Sequence, residues 1–461
     1  MVTKETDDDL IALFVVPERY ASEVQELLGH EDISRLQMPD DLKGSPPDSA
    51  VTIIEHRMDQ IARRLDKLED RLELVAQDWG ARLLSWRDRL QDELEVLEVL
   101  TKLGETDRTF VIAGWIPSRD LDQLRAALEK SFGDRVYLSS HPITPELEDR
   151  APIVLQNPKP AQPFESLVEL LHLPSYTGID PTGLMALILP LFFGMILGDA
   201  GYGVVVLGLC LLLMRRFREG VMSDLLVVLA IGGGWSILFG ILFGEAFGTL
   251  GEELGMPAIW FHRGSGETIP LLLAVTIGVG AAHITLGVLI SAWEALRERS
   301  RTHLMESGGM LLGLISLFLL IGMLVEFLPQ NFMTPSLAGL IVGIVLLSAS
   351  YGWTGILLGP LEFIGLLGNI LSYLRIAAIG LASVFLAQVA NEIAGLLGSL
   401  VVGVIVAALI HAINIVLGMF SPTIQSLRLH YVEFFQKFYE ESGEPFQPFK
   451  SRFVTVGERS E

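Results

Sequence analysis

The chain has 461 residues, a formal net charge of −22 and a composition that is half hydrophobic. Its mean hydropathy of +0.47 is that of an integral membrane protein, and its acidity argues against nucleic acid as a partner. The single cysteine, Cys210, sits in an apolar run, which excludes a disulfide framework and a thiolate metal site.

Residues 1–180 hold 36 Asp and Glu against 20 Lys and Arg, so most of the acidity lies in a water-facing N-terminal region. MVTKETDDDL has no apolar stretch behind a basic patch; no signal peptide is expected, and this region is placed in the cytoplasm. Residues 10–17 predict a buried strand, followed by a helix to about Leu28 and a loop over 38–49, together a small α/β lobe spanning 1–50. A long helix is predicted from Val51 to Leu103, a coiled-coil arm. Its apolar residues Ile54, Met58, Ile61, Leu65, Leu68, Leu72 and Val75 alternate steps of four and three, and the seam continues through Trp79, Leu83, Trp86, Leu90, Leu94 and Leu97. Doubled steps of four at Trp79–Leu83 and Leu90–Leu94 are stutters. A seam of this length requires a partner; another polypeptide is expected, folding back on local helices being the alternative. Trp79 and Trp86 belong to its packing. Residues 109–116 predict a second strand, ended by Pro117, with Ser118 capping a helix to Phe132; a Pro-rich linker over 133–180 completes a second α/β lobe and linker spanning 104–180.

The predicted fold is mostly α: a polytopic helical membrane domain over 181–440 with about eight transmembrane helices, behind the N-terminal cytoplasmic α/β and coiled-coil region. The segments fall at 183–198, 200–215, 223–245, 269–293, 307–328, 335–356, 362–392 and 397–436, and GDAGYG between the first two predicts a tight hairpin rather than one long helix. The basic connections RRFRE and RERSRTH then share a side with the N-terminal region, which the positive-inside rule makes the cytoplasm, as it does for the tail 441–461.

Arg375 carries the strongest functional signal. It stands inside an apolar helix, where a permanent cation is expensive and needs a negative partner or a water path. Asn369 and Ser372 share its stripe at spacings of three, and the small residues Ala377, Ala378, Gly380, Ala382 and Ser383 follow. Such a face suits a sliding contact with a carboxylate on a moving partner; a static salt bridge to Glu362 or Glu392 is the alternative. On the last segment His411, Asn414, Ser421, Gln425 and Arg428 share one face, with Gly418 filling the gap in that register, a pattern that predicts an aqueous ion path. Arg428, His430 and Glu433 otherwise read as interfacial groups that snorkel, and Pro422 as a bend. Asp199, Glu245, Glu294 and Glu326 lie near segment ends and are expected to be solvated. For His283 the expectation is core packing or a helix–helix hydrogen bond. Neither a P-loop nor a metal-ligand cluster occurs, so no cofactor, metal or ATP hydrolysis is expected of this chain.

GWIP at 114–117, IDPTGL at 179–184, LFFGMILGDAGYG at 191–203, LFGILFGEAFG at 238–248, NILSYLRIAAIGLA at 369–382 and SLRLHYVEFFQKFY at 426–439 occur in an order that resembles subunit a, also called subunit I, of rotary V-type and A-type ATPases. The resemblance covers about residues 105–450. It implies a stator in a prokaryotic plasma membrane that holds two half-channels for protons or sodium against a rotating proteolipid ring, with peripheral stalk subunits on the coiled-coil arm. Arg375 matches the essential arginine that faces the ring carboxylate, and Arg428 the second arginine, on the last helix. Ser372 and Tyr373 fall within the matching motif, and Glu362 lies near a position where an acid can occur. Two departures stand out. Gly418 occupies a place where many members carry a half-channel glutamate, leaving Gln425, Asn414 or His411 to act through water. The soluble region is also shortened, with only the returning one of two usual arms; a companion chain supplying the other and a reduced stalk attachment are the two alternatives. A stand-alone secondary ion transporter and a non-transporting assembly paralogue remain the alternative functions.

Overall fold

The computed structural model describes residues 2–6, 9–13, 17–20, 47–101, 103–148, 150–253, 255–396 and 399–449. The chain divides into two units, one formed by residues 1–112 and 449–461, the other by 113–448.

In the first unit β1 (Val2–Thr6) pairs antiparallel with β2 (Asp9–Leu13), Val2 opposite Leu13 and Thr6 opposite Asp9. β2 falls within the strand expected at 10–17; the helix expected to Leu28 lies outside the described residues. The helix α1 (Pro47–Leu100) runs 54 residues without a break. Pro47 opens it, where a missing N–H is harmless, and Gly80 is its only interior helix breaker. The seam residues face outward: Met58, Leu65, Leu72 and Leu90 are each more than half exposed. Two-residue strands β3 (Gly104–Glu105) and β4 (Phe110–Val111) close the unit; the strand expected over 109–116 is only that long.

The second unit opens with α2 (Leu121–Phe132). A 3-10 turn at Ser118–Asp120 precedes it, and Ser118 makes no capping bond. The linker is more ordered than its prolines suggest. α3 (Gln162–Glu169) buries Phe164, Leu167 and Val168 against Met185, Leu189, Phe434 and Phe435. The C-terminal tail clamps the linker from outside, with Ile153 N donating to the Glu444 carbonyl (2.8 Å) and Gly443 N to the Leu173 carbonyl (3.1 Å).

Nine longer helices follow among the described residues: α4 (Thr182–Leu197), α5 (Ala200–Met214), α6 (Val221–Phe243), α7 (Ile269–Arg297), α8 (Arg301–Leu324), α9 (Met333–Ser350), α10 (Gly355–Leu371), α11 (Leu374–Leu396) and α12 (Leu400–Arg428), with a four-residue helical turn at Leu250–Glu253 between α6 and α7. Six helical stretches among the described residues are long and apolar enough to cross a membrane. The first two expected segments, α4 and α5, have 16 and 15 residues, about 24 Å each against a hydrocarbon thickness of about 30 Å. They form the predicted hairpin, reversing at Gly198 (φ 45°) and Asp199. Both legs lean on α6. Gly194 meets Trp235 and Gly203 meets Gly233 and Ile237, while at Gly240 a Cβ would stand 2.0 Å from Ala200 N. Backbones approach that closely only where no side chain intervenes.

The seventh expected segment, 362–392, is part of a 45-residue stretch, Gly352–Leu396, interrupted at Ser372–Tyr373 between α10 and α11. α11 and α12 pack antiparallel, Ser383 level with Asn414 and Asn391 level with His411. Pro422 lies within continuous α12, which then passes into a π-helical turn, Leu429–Phe434. The main core joins Phe192 of α4, Ile284 of α7, Leu314 of α8, Leu347 of α9, Leu366 of α10 and Tyr373.

Candidate functional site

Polar groups gather at two places along the α11–α12 pair. One lies around Arg375. The helix is broken at Ser372–Tyr373, and Ile376 N reaches back to the Tyr373 carbonyl (2.9 Å), a tight turn just before the arginine side chain leaves the backbone. Its carboxylate partner is Glu433 on the π-helical turn, with Arg375 Nη1 3.7 Å from Glu433 Oε1. The arginine is 22% exposed and the glutamate 3%. That distance is Coulombic contact rather than a hydrogen bond, so Nη1 keeps an unused donor. Arg428, exposed at the end of α12, adds its field to Glu433. Ser372 sits beside them and donates to the Gly368 carbonyl (3.1 Å). Asn369 is half-buried one turn earlier on α10.

Behind Glu433 the buried Tyr373 hydroxyl meets His283 Nδ1 of α7 at 2.6 Å, which is the helix–helix hydrogen bond expected of His283. His430, fully buried, donates from Nδ1 to the Ser426 carbonyl (2.8 Å), and its ring lies 5.0 Å from that of His283. Phe434 stacks on His283 at 3.9 Å. Six side-chain atoms here are buried without a hydrogen-bond partner among the described residues: His283 Nε2, Arg375 Nη1, Gln425 Oε1, Ser426 Oγ, His430 Nε2 and Glu433 Oε2. Buried polar groups are nearly always paired, so such a concentration sets this region apart from the apolar core around it.

The second cluster lies toward the other end of the pair. Asn414 donates to the Tyr202 hydroxyl (3.0 Å) and to the Ser383 carbonyl (2.9 Å), and accepts from Ser383 Oγ (3.1 Å). With its oxygen accepting from Asn414, the Tyr202 hydroxyl donates to His411 Nδ1 (2.7 Å). The His411 Nε2–H donates in turn to Asn391 Oδ1 (3.0 Å), and Asn391 Nδ2 to the Phe247 carbonyl (2.9 Å) and Thr249 (3.0 Å). Every member is satisfied, a one-way chain of donors across α5, α11, α12 and the loop after α6. The stripe His411, Asn414, Ser421, Gln425 and Arg428 is therefore divided: its first two residues belong to this donor chain, Arg428 acts on Glu433, and Gln425 Oε1 is buried without a hydrogen-bond partner among the described residues. Between the clusters Gly418 packs on Leu197; a Cβ at 418 would stand 2.7 Å from Leu197 Cδ1.

Some expectations are corrected. Glu362 pairs with Lys437 (3.3 Å), and the exposed Glu392 does not hold Arg375; the partner is Glu433, which is buried rather than snorkelling. The π-helical turn explains the difference, because an extra residue per turn rotates His430 and Glu433 inward from the face that 3.6-residue spacing assigns them. Asp199 and Glu245 are 3% and 5% exposed, not solvated. Asp199 caps α5, accepting from the backbone N–H groups of Tyr202 (2.9 Å), Phe247 (2.9 Å) and Gly248 (2.8 Å). Glu245 forms a buried salt bridge with Arg263, a residue the sequence reading gave no role. Arg263 is 1% exposed and also donates to the carbonyls of Met195 (3.2 Å), Ile196 (3.1 Å), Leu197 (3.1 Å) and Gly198 (2.8 Å), closing the C-terminal end of α4. α11 rests on this cap at Gly380, where a Cβ would stand 3.0 Å from the Ile196 carbonyl oxygen.

These helices define a polytopic helical membrane protein, with Arg375 inside a stretch long and apolar enough to cross a membrane. The chain belongs to the V-type ATPase 116kDa subunit family, whose sequence profile matches residues 4–249 and 359–451. Between these stretches lie α7, α8 and α9, so His283 is outside the matched residues. The A-type ATP synthase subunit I of Methanocaldococcus jannaschii is 31% identical over 89% of this chain and 65% of its own length. The subunit I of Halobacterium salinarum is 29% identical over 96% of this chain and 75% of that protein, and that of Methanothermobacter thermautotrophicus 27% identical over 97% and 67%. The chain thus spans about two thirds of the length of these relatives.

Proposed function

We propose that this chain is the membrane stator subunit of a rotary A-type or V-type ATPase, passing protons or sodium ions between two half-channels against a proteolipid ring. One observation carries the reading: Arg375 holds its own carboxylate, Glu433, loosely. A guanidinium 3.7 Å from its counter-ion, with a free donor and 22% exposure, can take a second carboxylate from a passing partner without first breaking a bidentate pair. Coulomb attraction favours the ionised form of that carboxylate, so an ion carried on it is released beside Arg375. The two polar clusters serve as the approaches on either side: Asn369, Ser372, Tyr373, Gln425 and Arg428 at the arginine, His411 and Asn414 at the other end. Gly418, packed on Leu197, leaves no carboxylate between them. Peripheral stalk subunits would hold the stator against the torque of the ring.

The test is ATP-driven ion uptake by inverted membrane vesicles, with complex assembly followed by co-purification. Arg375→Ala abolishes uptake and leaves assembly within about twofold of wild type, and Arg375→Lys restores little, because an ammonium lacks the planar fork. Normal uptake by Arg375→Ala would sink the assignment.

A further inference from the structure

Two imidazoles behind Glu433 each leave one nitrogen unused. His283 Nε2 and His430 Nε2 are buried without a hydrogen-bond partner among the described residues, and the residues are 4% and 0% exposed. They come from different elements, α7 and the π-helical turn after α12, yet their ring centroids stand 5.0 Å apart. Aromatic rings close in on them: Phe434 stacks on His283, and Phe192 of α4 lies 5.2 Å from His283 and 5.5 Å from His430. A phenyl ring would fill either position without leaving a buried nitrogen unpaired.

The bonded nitrogens define what the free ones can do. A carbonyl only accepts, so His430 Nδ1 carries the hydrogen it donates to Ser426, and the neutral ring keeps its lone pair on Nε2. That lone pair is a proton acceptor. His283 Nδ1 is held by the Tyr373 hydroxyl. When Tyr373 donates, His283 Nε2 bears a hydrogen, and a donor and an acceptor stand on neighbouring rings. Glu433 supplies a nearby negative charge. Its Oε2 has no hydrogen bond, and its ion pair among the described residues is the loose one with Arg375. A carboxylate that draws Arg375 away leaves Glu433 buried without its counter-ion, which is costly unless a new cation forms beside it.

We infer that His283 and His430 take up the proton that a ring carboxyl releases at Arg375, and that the imidazolium so formed replaces Arg375 as the counter-ion of Glu433. One O–H bond breaks on the ring carboxyl and one N–H bond forms at His430 Nε2. Two ion pairs then stand where one ion pair and a neutral acid stood, with no change in net charge. The reverse step reloads the carboxylate as Arg375 returns to Glu433. The other charged groups around the pair are Arg428, which acts on Glu433, and Lys437, which packs on α7 at Gly287 and is held by Glu362 of α10. The inference rests on the stator reading and deepens it by naming the ion as a proton. Sodium, a hard cation that takes oxygen ligands, gains nothing from a free imidazole nitrogen.

ATP-driven uptake by inverted vesicles from about pH 6 to pH 8, where an imidazole changes charge, tests it. His283 and His430 are replaced together by Gln, which keeps a polar group, and separately by Phe, which keeps the ring packing; neither takes up a proton. The variant-to-wild-type ratio cancels the pH dependence of ATP hydrolysis. Without the pair the carboxylate is protonated from water alone, so the ratio falls about tenfold or more as pH rises across this window. A ratio constant with pH means that the histidines only pack, and overturns the inference. Uptake of sodium instead of protons by the wild type overturns it too. Arg375→Ala is run alongside. Normal uptake by that variant defeats the stator reading, whereas its loss of uptake together with a constant histidine ratio defeats this inference alone.

Discussion

Replacing Arg263 by methionine tests the account of the α4–α5 hairpin most directly. The substitution keeps an unbranched side chain but removes a guanidinium that is 1% exposed. It leaves Glu245 charged and unpaired at 5% exposure, and it strips the donors from four carbonyls at the end of α4. Breaking a buried pair from one side costs about 3–5 kcal/mol. The uncapped carbonyls add about 2 kcal/mol, at roughly 0.5 kcal/mol or more for each net hydrogen bond. Arg263→Met together with Glu245→Met removes the orphaned charge and retains only the capping loss, about 2 kcal/mol. The double variant is therefore more stable than the single. Cys210 supplies the assay: it is the chain's one cysteine, buried, and becomes reactive to a thiol dye only when α5 leaves α6. At about 2 °C per kcal/mol the single variant melts roughly 10 °C below wild type and the double variant about 4 °C below. A single variant within about 2 °C of wild type, or a double variant that melts lower than the single, refutes the reasoning.

Tyr202→Phe leaves Asn414 and His411 each without one partner in an otherwise satisfied network. It should cost about 1–3 kcal/mol in the same melting assay, and an unchanged melting point would show that the network does not order the helices. Gly418→Glu drives a side chain against the Leu197 Cδ1 methyl and should cost about 1–3 kcal/mol, and Leu197→Ala should cost less in its presence than alone; the same cost in both backgrounds would mean that Leu197 is not what keeps position 418 small.

Hydrophobic runs make the membrane helices legible, and the Gly198–Asp199 reversal follows from GDAGYG because a left-handed glycine and a capping aspartate end one helix and start the next. Arg375 declares itself, since no apolar helix carries a guanidinium without consequence. Its counter-ion is harder to see: Glu433 sits 58 residues later, past a π-helical turn that hydrophobic periodicity does not register. The same blindness applies to Glu245 and Arg263, 18 residues apart on a loop whose path no spacing rule fixes. Near the end of a helix an acid reads as solvated unless the burying loop is known. The length of the Gly352–Leu396 stretch is missed for a related reason: apolar continuity through Ser372–Tyr373 shows that the chain stays in the membrane, not how long a path it takes there.

That stretch faces apolar side chains outward from Ile356 to Leu396, a contour of about 60 Å, and its halves do not fold back on each other. That contour is about twice a hydrocarbon thickness of about 30 Å, so the stretch cannot stand along the membrane normal throughout its length. Arg375 and Asn391 lie about 24 Å apart along α11. Wherever α11 is inclined, part of that separation runs sideways in the plane of the membrane, and the two polar clusters are offset from each other laterally as well as in depth.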